Sequence, residues 1–179
     1  MKEISIEELN VNPCIEIGKN WMLISAGDKN KCNSMTASWG SIGALWEAGL
    51  NGGSVSTIYV RPCRYTDSFI DSHDYYSLCF FNKEYKNDLT FMGSHSGRDM
   101  DKVSKTKLHL DFVDDIPYYK EAKLVLICKK IYKGSISKEG FIDKSIIDIY
   151  YKNDSGDIYN NDSLHNVYVG KIVKILSNN

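Results

Sequence analysis

Residues 30–46 read NKCNSMTASWGSIGALW. Ser34, Thr36 and Ser38 put hydroxyls at every second position, with Met35, Ala37 and Trp39 between them. A period of two is strand spacing, so the hydroxyls share one face and the larger groups the other. A half-buried strand normally turns oily residues to the core. A face made of small hydroxyls therefore looks either at water or at something that wants hydrogen bonds. The strand predicted over Ser34–Ser41 ends where Gly40 and Gly43 loosen the chain.

Similar strand candidates lie on both sides of it. Trp21–Ala26, Val55–Val60, Tyr75–Phe81, Ala122–Ile131 and Asn166–Leu176 are apolar or rich in Val, Ile and Tyr. Pro62 stops the second of these, and GLNGGS at Gly49–Ser54 is a turn by composition. Tyr65–Ser72 has helical spacing of Phe69 and Ile70 with Thr66 as a candidate cap, and Leu89–Met92 fits a short helix. Asn153–Asp162 is a polar loop. Strands joined by tight turns predict a mainly β chain, paired antiparallel into a closed or nearly closed barrel, with a few short helices outside. The 179 residues fit one domain, 1–179, with enough chain to bury a core unaided.

Bulk properties exclude several classes. A formal charge of −1 argues against a general nucleic-acid binder. The N-terminal MKEISIEELNVNP has no apolar run, so no signal peptide is expected. The apolar stretch at Leu124–Cys128 is far too short to span a bilayer, so no membrane partner is expected either. The five cysteines are scattered without C-x-x-C spacing, which predicts no metal site and reduced thiols in a cytoplasmic protein.

Three polar clusters remain. The hydroxyl strand is the first. In VSTIYVRPCRYT (Val55–Thr66), Arg61 and Arg64 flank Pro62 at a strand end, suited to grip a phosphate or carboxylate. In GSHSGRDMDK (Gly93–Lys102), Ser94, Ser96, Arg98 and Lys102 accompany Gly93 and Gly97, a loop that could cradle an anion. Each has a bland alternative: a solvated strand face, arginines ion-paired to Asp67 or Asp71, and a solvated loop. No nucleophile elbow, H-E-x-x-H or carboxylate pair competes as an acid–base centre, and Asp99 and Asp101 fit helix capping.

Together the clusters are recognisable. NSMTASWGSIG, then STIYVRPCRYT, then SHSGRDMDKV resemble the flavin reductase-like family, the flavoredoxin branch of the FMN-binding split-barrel proteins. The resemblance runs from Asn12-Pro13 to the closing YVGKIVKI. It implies a six-stranded antiparallel split β-barrel, a homodimer with FMN near the subunit interface, and electron transfer through that flavin. By position, it implies FMN contacts from Asn33, Ser34, Met35, Thr36, Ala37, Ser38 and Trp39. It further implies contacts from Ser56, Arg61 and Arg64, and from His95, Ser96, Gly97, Arg98 and Lys102. The hydroxyl face would then look at a ligand. No side chain is expected to be catalytic, because the flavin carries the chemistry.

Many members carry an Asp-His pair before the last strand and a Gly-Glu within it. Here His165 follows Leu164 and Lys171 follows Gly170. His165 is thus a candidate nicotinamide contact or an ordinary loop residue. Two functions follow: an NAD(P)H-dependent flavin reductase, or a flavoredoxin-like carrier fed by a redox protein. Trp21, Trp39 and Trp46 are candidate dimer anchors or core tryptophans.

Overall fold

A computed structural model of the chain describes residues 1–46, 53–154 and 163–178. The strands are β1 (Lys2–Ile4), β2 (Met22–Gly27), β3 (Cys32–Ala37), β4 (Gly40–Ala44), β5 (Ser54–Val60), β6 (Tyr75–Phe80), β7 (Leu110–Val113), β8 (Ile116–Tyr119), β9 (Leu124–Ser135) and β10 (Asn166–Ser177). The helices are α1 (Pro13–Ile15), α2 (Tyr65–Ser72), α3 (Lys86–Ser94) and α4 (Ser145–Tyr150). The expected turn at Gly49–Ser54 and loop at Asn153–Asp162 lie largely outside the described residues.

All six expected strands form. The main sheet runs β3-β2-β6-β9-β10-β5-β4, with β1 added on β10, and every pairing is antiparallel. It has eight strands rather than six because the short β1 joins and because the expected Ser34–Ser41 strand breaks at Ser38–Trp39. That break decides the architecture. β3 ends the sheet beside β2, and β4 ends it at the opposite side beside β5. A two-residue link reaches only about 10 Å, so the two outer strands must meet there. The sheet therefore curls into a barrel, joined at one corner and split along the rest of β3. Gly40 allows the corner: a Cβ there would lie 2.9 Å from the Thr57 carbonyl of β5.

Two apolar layers hold this shape. Inside the barrel pack Met22, Ile24 and Ala26 of β2, Leu78 and Phe80 of β6, Leu126 of β9, and Ile58 and Val60 of β5, with Phe69 and Ile70 of α2 against them. Alternate residues of the same strands, Leu23, Cys79, Val125 and Ile127, face outward. These are covered by Leu89 and Met92 of α3 and by Ile116 and Tyr119 of β8. Burial of each large side chain contributes about 1.5–3 kcal/mol. The two layers explain why β2 is buried at every position. The β7–β8 hairpin was not expected, although its turn residues Asp114 (φ 50) and Asp115 (φ 68) adopt the left-handed region typical of two-residue hairpin loops.

Candidate functional site

The split in the barrel opens a cleft along the free edge of β3. Its inner half encloses about 220 Å³ between β3, the start of α2 and the loop that follows α3. Its outer half encloses about 190 Å³ between the β3–β4 corner, the end of β5 and His165. Met35, Thr36 and Arg64 line both halves, so the cleft is continuous. Asn33, His95, Ser96, Gly97, Arg98 and Lys102 line the inner half, and Ala37, Ser38, Trp39 and Arg61 the outer. Three sequence segments that were far apart thus share one concavity.

Two expected contacts fall elsewhere. Ser56 lies inside the barrel, where its hydroxyl meets the Tyr76 hydroxyl at 2.8 Å and the Cys128 thiol at 3.2 Å. It is a core residue because its place on β5 faces inward. The Ser34 hydroxyl donates to Ser25 Oγ at 2.7 Å and accepts from Tyr119 at 2.9 Å. The cross-strand register explains this. Ser34 and Thr36 stand opposite Ser25 and Leu23 of β2, so their side chains belong to the outer layer under α3 and β8. Thr36 donates to the Leu89 carbonyl of α3 while its side of the strand still borders the cleft. The hydroxyls of the expected ligand face are thus placed differently: Ser34 bonds to protein away from the cleft lining, whereas Thr36 bonds to protein and also lines the cleft. Ser38, beyond the end of β3, does line the cleft.

Cationic side chains line the cleft among the described residues. Arg61, Arg64, Arg98 and Lys102 line it, and no Asp or Glu does among the described residues. The bland pairing of the arginines with Asp67 or Asp71 does not occur. Asp67 accepts from Asn166 and Tyr168, and Asp71 from Lys133. Lys102 is 5% exposed. Its ammonium donates to the Ser34 carbonyl at 2.7 Å and the Met92 carbonyl at 2.9 Å, tying β3 to α3. Burial, and then the Arg64 charge, push its pKa down to about 8. Two of its three protons are used, and one remains for an anion. Arg98 donates to the Cys63 carbonyl at 3.1 Å and lies over the Tyr65 ring. Ser96 accepts from the Arg98 N–H, which fixes the loop.

Close packing shapes the inner half. A Cβ on Gly97 would lie 2.1 Å from Asn33 Oδ1, so only glycine lets this loop approach β3. Asn33 in turn donates to Thr66 Oγ1 at 2.7 Å. Thr66 is therefore a link between β3 and α2, not the expected cap, and the cap position is Arg64 without a side-chain bond. His95 lines the cleft but is turned back on its own helix, stacked on Phe91 at 4.0 Å.

Aromatic groups dominate the outer half. Trp39 leans on His165 at 4.8 Å and meets Tyr150 edge-on at 5.3 Å. His165 is buried, with Nδ1 2.8 Å from the Tyr151 hydroxyl. Burial, then Arg61 and Arg64, push its pKa down to about 4, so it is neutral at pH 7. Arg61 donates to the Tyr150 carbonyl at 3.0 Å and lies over the Tyr151 ring. Sequence reading missed Tyr59, Cys63 and Tyr65 in the lining, and Tyr150 and Tyr151 behind it. Tyr59, Cys63 and Tyr65 sit within the arginine motif and could have been included with it. Tyr150 and Tyr151 come from α4 and its end, which the sequence analysis did not assign.

The split barrel is a class of fold, and solved structures share it. No family model and no curated protein matches the chain. The FMN-binding domain of a flavin reductase-like enzyme from Shewanella baltica is 15% identical, with a TM-score of 0.65 over 98% of this chain and 76% of that one. Flavoredoxin from Methanosarcina acetivorans is 19% identical, with a TM-score of 0.61 over 88% and 68%. The NADH:FAD oxidoreductase of Streptomyces globisporus is 10% identical, with a TM-score of 0.62 over 88% and 75%. These similarities establish that the chain has the fold of the FMN-binding split barrels.

Proposed function

We propose that this chain is a flavoprotein oxidoreductase that binds FMN in the cleft. The observation that carries the reading is Lys102, a buried cation that opens, beside Arg64, onto a cleft with no lining carboxylate among the described residues. A cation held out of water needs an anion, or it loses its proton. Lys102, Arg64, Arg98, Ser96 and the glycine loop would hold the phosphate. Met35–Trp39 along the β3 edge would hold the ring, with Asn33 fixing the loop beneath it. Bound there, FMN would supply hydride and electron transfer. The protein's part is to seat it, shield it and set its charge environment.

The preferred activity is an NAD(P)H-dependent flavin reductase, with neutral His165 beside Trp39 as the candidate nicotinamide contact. The likeness to an NADH:FAD oxidoreductase supports it. A flavoredoxin-like carrier between redox proteins is the second reading, favoured by the flavoredoxin likeness and by Leu164 and Lys171 replacing the family pattern. A homodimer would cover Trp39 and Trp46, which are 38% and 63% exposed. Trp21 is a poorer anchor because the Lys86 ammonium lies 3.0 Å from its ring centre. Free thiols at all five cysteines are compatible with a cytoplasmic setting, and no helix among the described residues is long and apolar enough to cross a membrane.

Calorimetry with FMN and with riboflavin tests the cofactor. FMN should bind far more tightly, and equal affinities would sink the phosphate assignment. NADH and NADPH oxidation, with and without added free FMN, then separates reductase from carrier. Sedimentation at micromolar concentration tests the dimer.

A further inference from the structure

We infer that the groove beyond Tyr65 is a subsite for the adenylate half of FAD, so that the cleft accepts the dinucleotide as well as FMN. This rests on the FMN reading above and extends it past the phosphate. The groove encloses about 480 Å³ between α2 and the turn that joins β2 to β3. It shares a wall with the inner half of the cleft, because Tyr65 lines both. A ligand chain that leaves the phosphate cradle past Tyr65 thus has a second concavity to enter.

The shape and lining of the groove fit that half-molecule. Tyr65, Phe69 and His73 recur every four residues along α2 and its end, so they share one helix face. Tyr65 meets Phe69 edge-on at 5.0 Å, and Phe69 and His73 lie nearly parallel at 6.4 Å. All three line the groove. Phe69 is buried, whereas Tyr65 and His73 are half-buried and leave ring surface for a planar base. From Tyr65 to His73 is eight residues of helix, about 12 Å, which is room for a phosphate, a ribose and a base in line.

Charge follows the same order. The Arg98 guanidinium lies 4.8 Å and the Lys31 ammonium 5.9 Å from the centre of the Tyr65 ring. Arg98 lines the inner half of the cleft and Lys31 lines the groove. The positive side chains of the cradle therefore continue round Tyr65, where a second phosphate would follow the first. Asp28 stands toward the other end, with Oδ2 4.0 Å from His73 Nε2. Its Oδ1 accepts from the Asn30 and Lys31 N–H groups, which fixes the turn. A carboxylate there would repel a phosphate but suits the neutral donors of adenosine, its ribose hydroxyls and amino group. FMN would leave this groove empty, and FAD would fill it. The flavin ring would keep its place, and the second anchor would slow its departure.

Calorimetry with FMN and with FAD tests the subsite. FAD should bind about tenfold more tightly than FMN or better, the scale of one stacked base. Lys31→Gln should weaken FAD about threefold, as expected for an exposed charge contact. Ser68 is exposed, lines the groove and bonds to its own helix at the Tyr65 carbonyl. Ser68→Trp should fill the groove and bring FAD down to the affinity of FMN or below. Neither residue lines the cleft, so both variants should leave FMN within about twofold. Should Ser68→Trp fail to fold in a thermal melt, the wild-type ratio and Lys31→Gln still decide. FAD binding no tighter than FMN, or variants that weaken both flavins alike or neither, overturns the inference and leaves the FMN site standing. Failure to bind either flavin removes both.

Discussion

Lys102 gives a test in which two observables move in opposite directions with pH. Its pKa falls from 10.5 to about 8, first through burial and then through Arg64. The folded state therefore releases a proton that the unfolded chain keeps between pH 8 and 10.5. In that window the unfolded state binds more protons, so the stability of the FMN-free protein rises with pH, by at most ~3 kcal/mol. On the proposed phosphate site FMN needs the charged ammonium, so its affinity should fall over the same range. Between pH 7 and 9.5 the loss should be roughly thirtyfold, tenfold per unit above the pKa. Riboflavin, which has no phosphate, is the control and should show little change. Lys102→Met should cost about 1.5–3 kcal/mol of FMN affinity at pH 7, the scale of a charge-assisted hydrogen bond. At pH 9.5 variant and wild type should converge. The assay is calorimetry in buffers free of phosphate, with thermal melts of the FMN-free form alongside. FMN affinity that stays flat across the range, or riboflavin affinity that falls in parallel, would show that Lys102 does not hold the phosphate.

Three further outcomes follow from the packing. Gly97→Ala should displace Asn33 and break its bond to Thr66, costing about 1–3 kcal/mol in urea unfolding and weakening FMN as well, because the loop can no longer close on β3. Ser34→Ala should leave Ser25 and Tyr119 each without a partner, lowering stability by about 1–3 kcal/mol while FMN affinity stays within about threefold. A large affinity loss without a stability loss would mean that the hydroxyl meets the ligand after all. For His165 the folded pKa of about 4 lies below the ordinary 6.5. The unfolded chain therefore takes up the proton first, and stability falls as pH drops from 6.5 to 4, by up to ~3 kcal/mol. His165→Gln should flatten that part of the stability profile relative to wild type.

Most of the sheet was legible because its signals are local. The apolar runs that became β2, β5, β6, β9 and β10 needed only strand propensity and bounding turns, and α2 was found at its observed limits, Tyr65–Ser72. The missed elements had weak or conflicting local signals. β7 and β8 are four residues each, and α4 leaves Ile149 67% exposed, so its apolar spacing does not mark a buried face. The positive cluster was legible for a different reason: charge is a property of residue type, so Arg61, Arg64, Arg98 and Lys102 could be picked out without knowing where each side chain points.

The hydroxyl strand shows where that kind of reading stops. Period two fixes which residues share a face, but not which face looks at what. Ser34 and Thr36 do lie on one face, as the spacing requires. The register with β2 puts them beside Ser25 and Leu23, and Leu23 is packed under α3 and Tyr119. The hydroxyls are small and polar there because that face meets other polar groups: the Ser25 and Tyr119 hydroxyls and the Leu89 carbonyl. Any bonds that β3 makes to a ligand must then come chiefly from the groups its sheet partner leaves unpaired, the backbone of its free edge. Lys102 already takes one of them, the Ser34 carbonyl. A ligand that approaches this edge needs short side chains for access more than it needs their hydroxyls. Smallness is thus required by the packing on the outer layer at Ser34 and Thr36, and by the opening at the split at Thr36 and Ser38. The sequence pattern registers the smallness, and only the register of β3 against β2 separates the two causes.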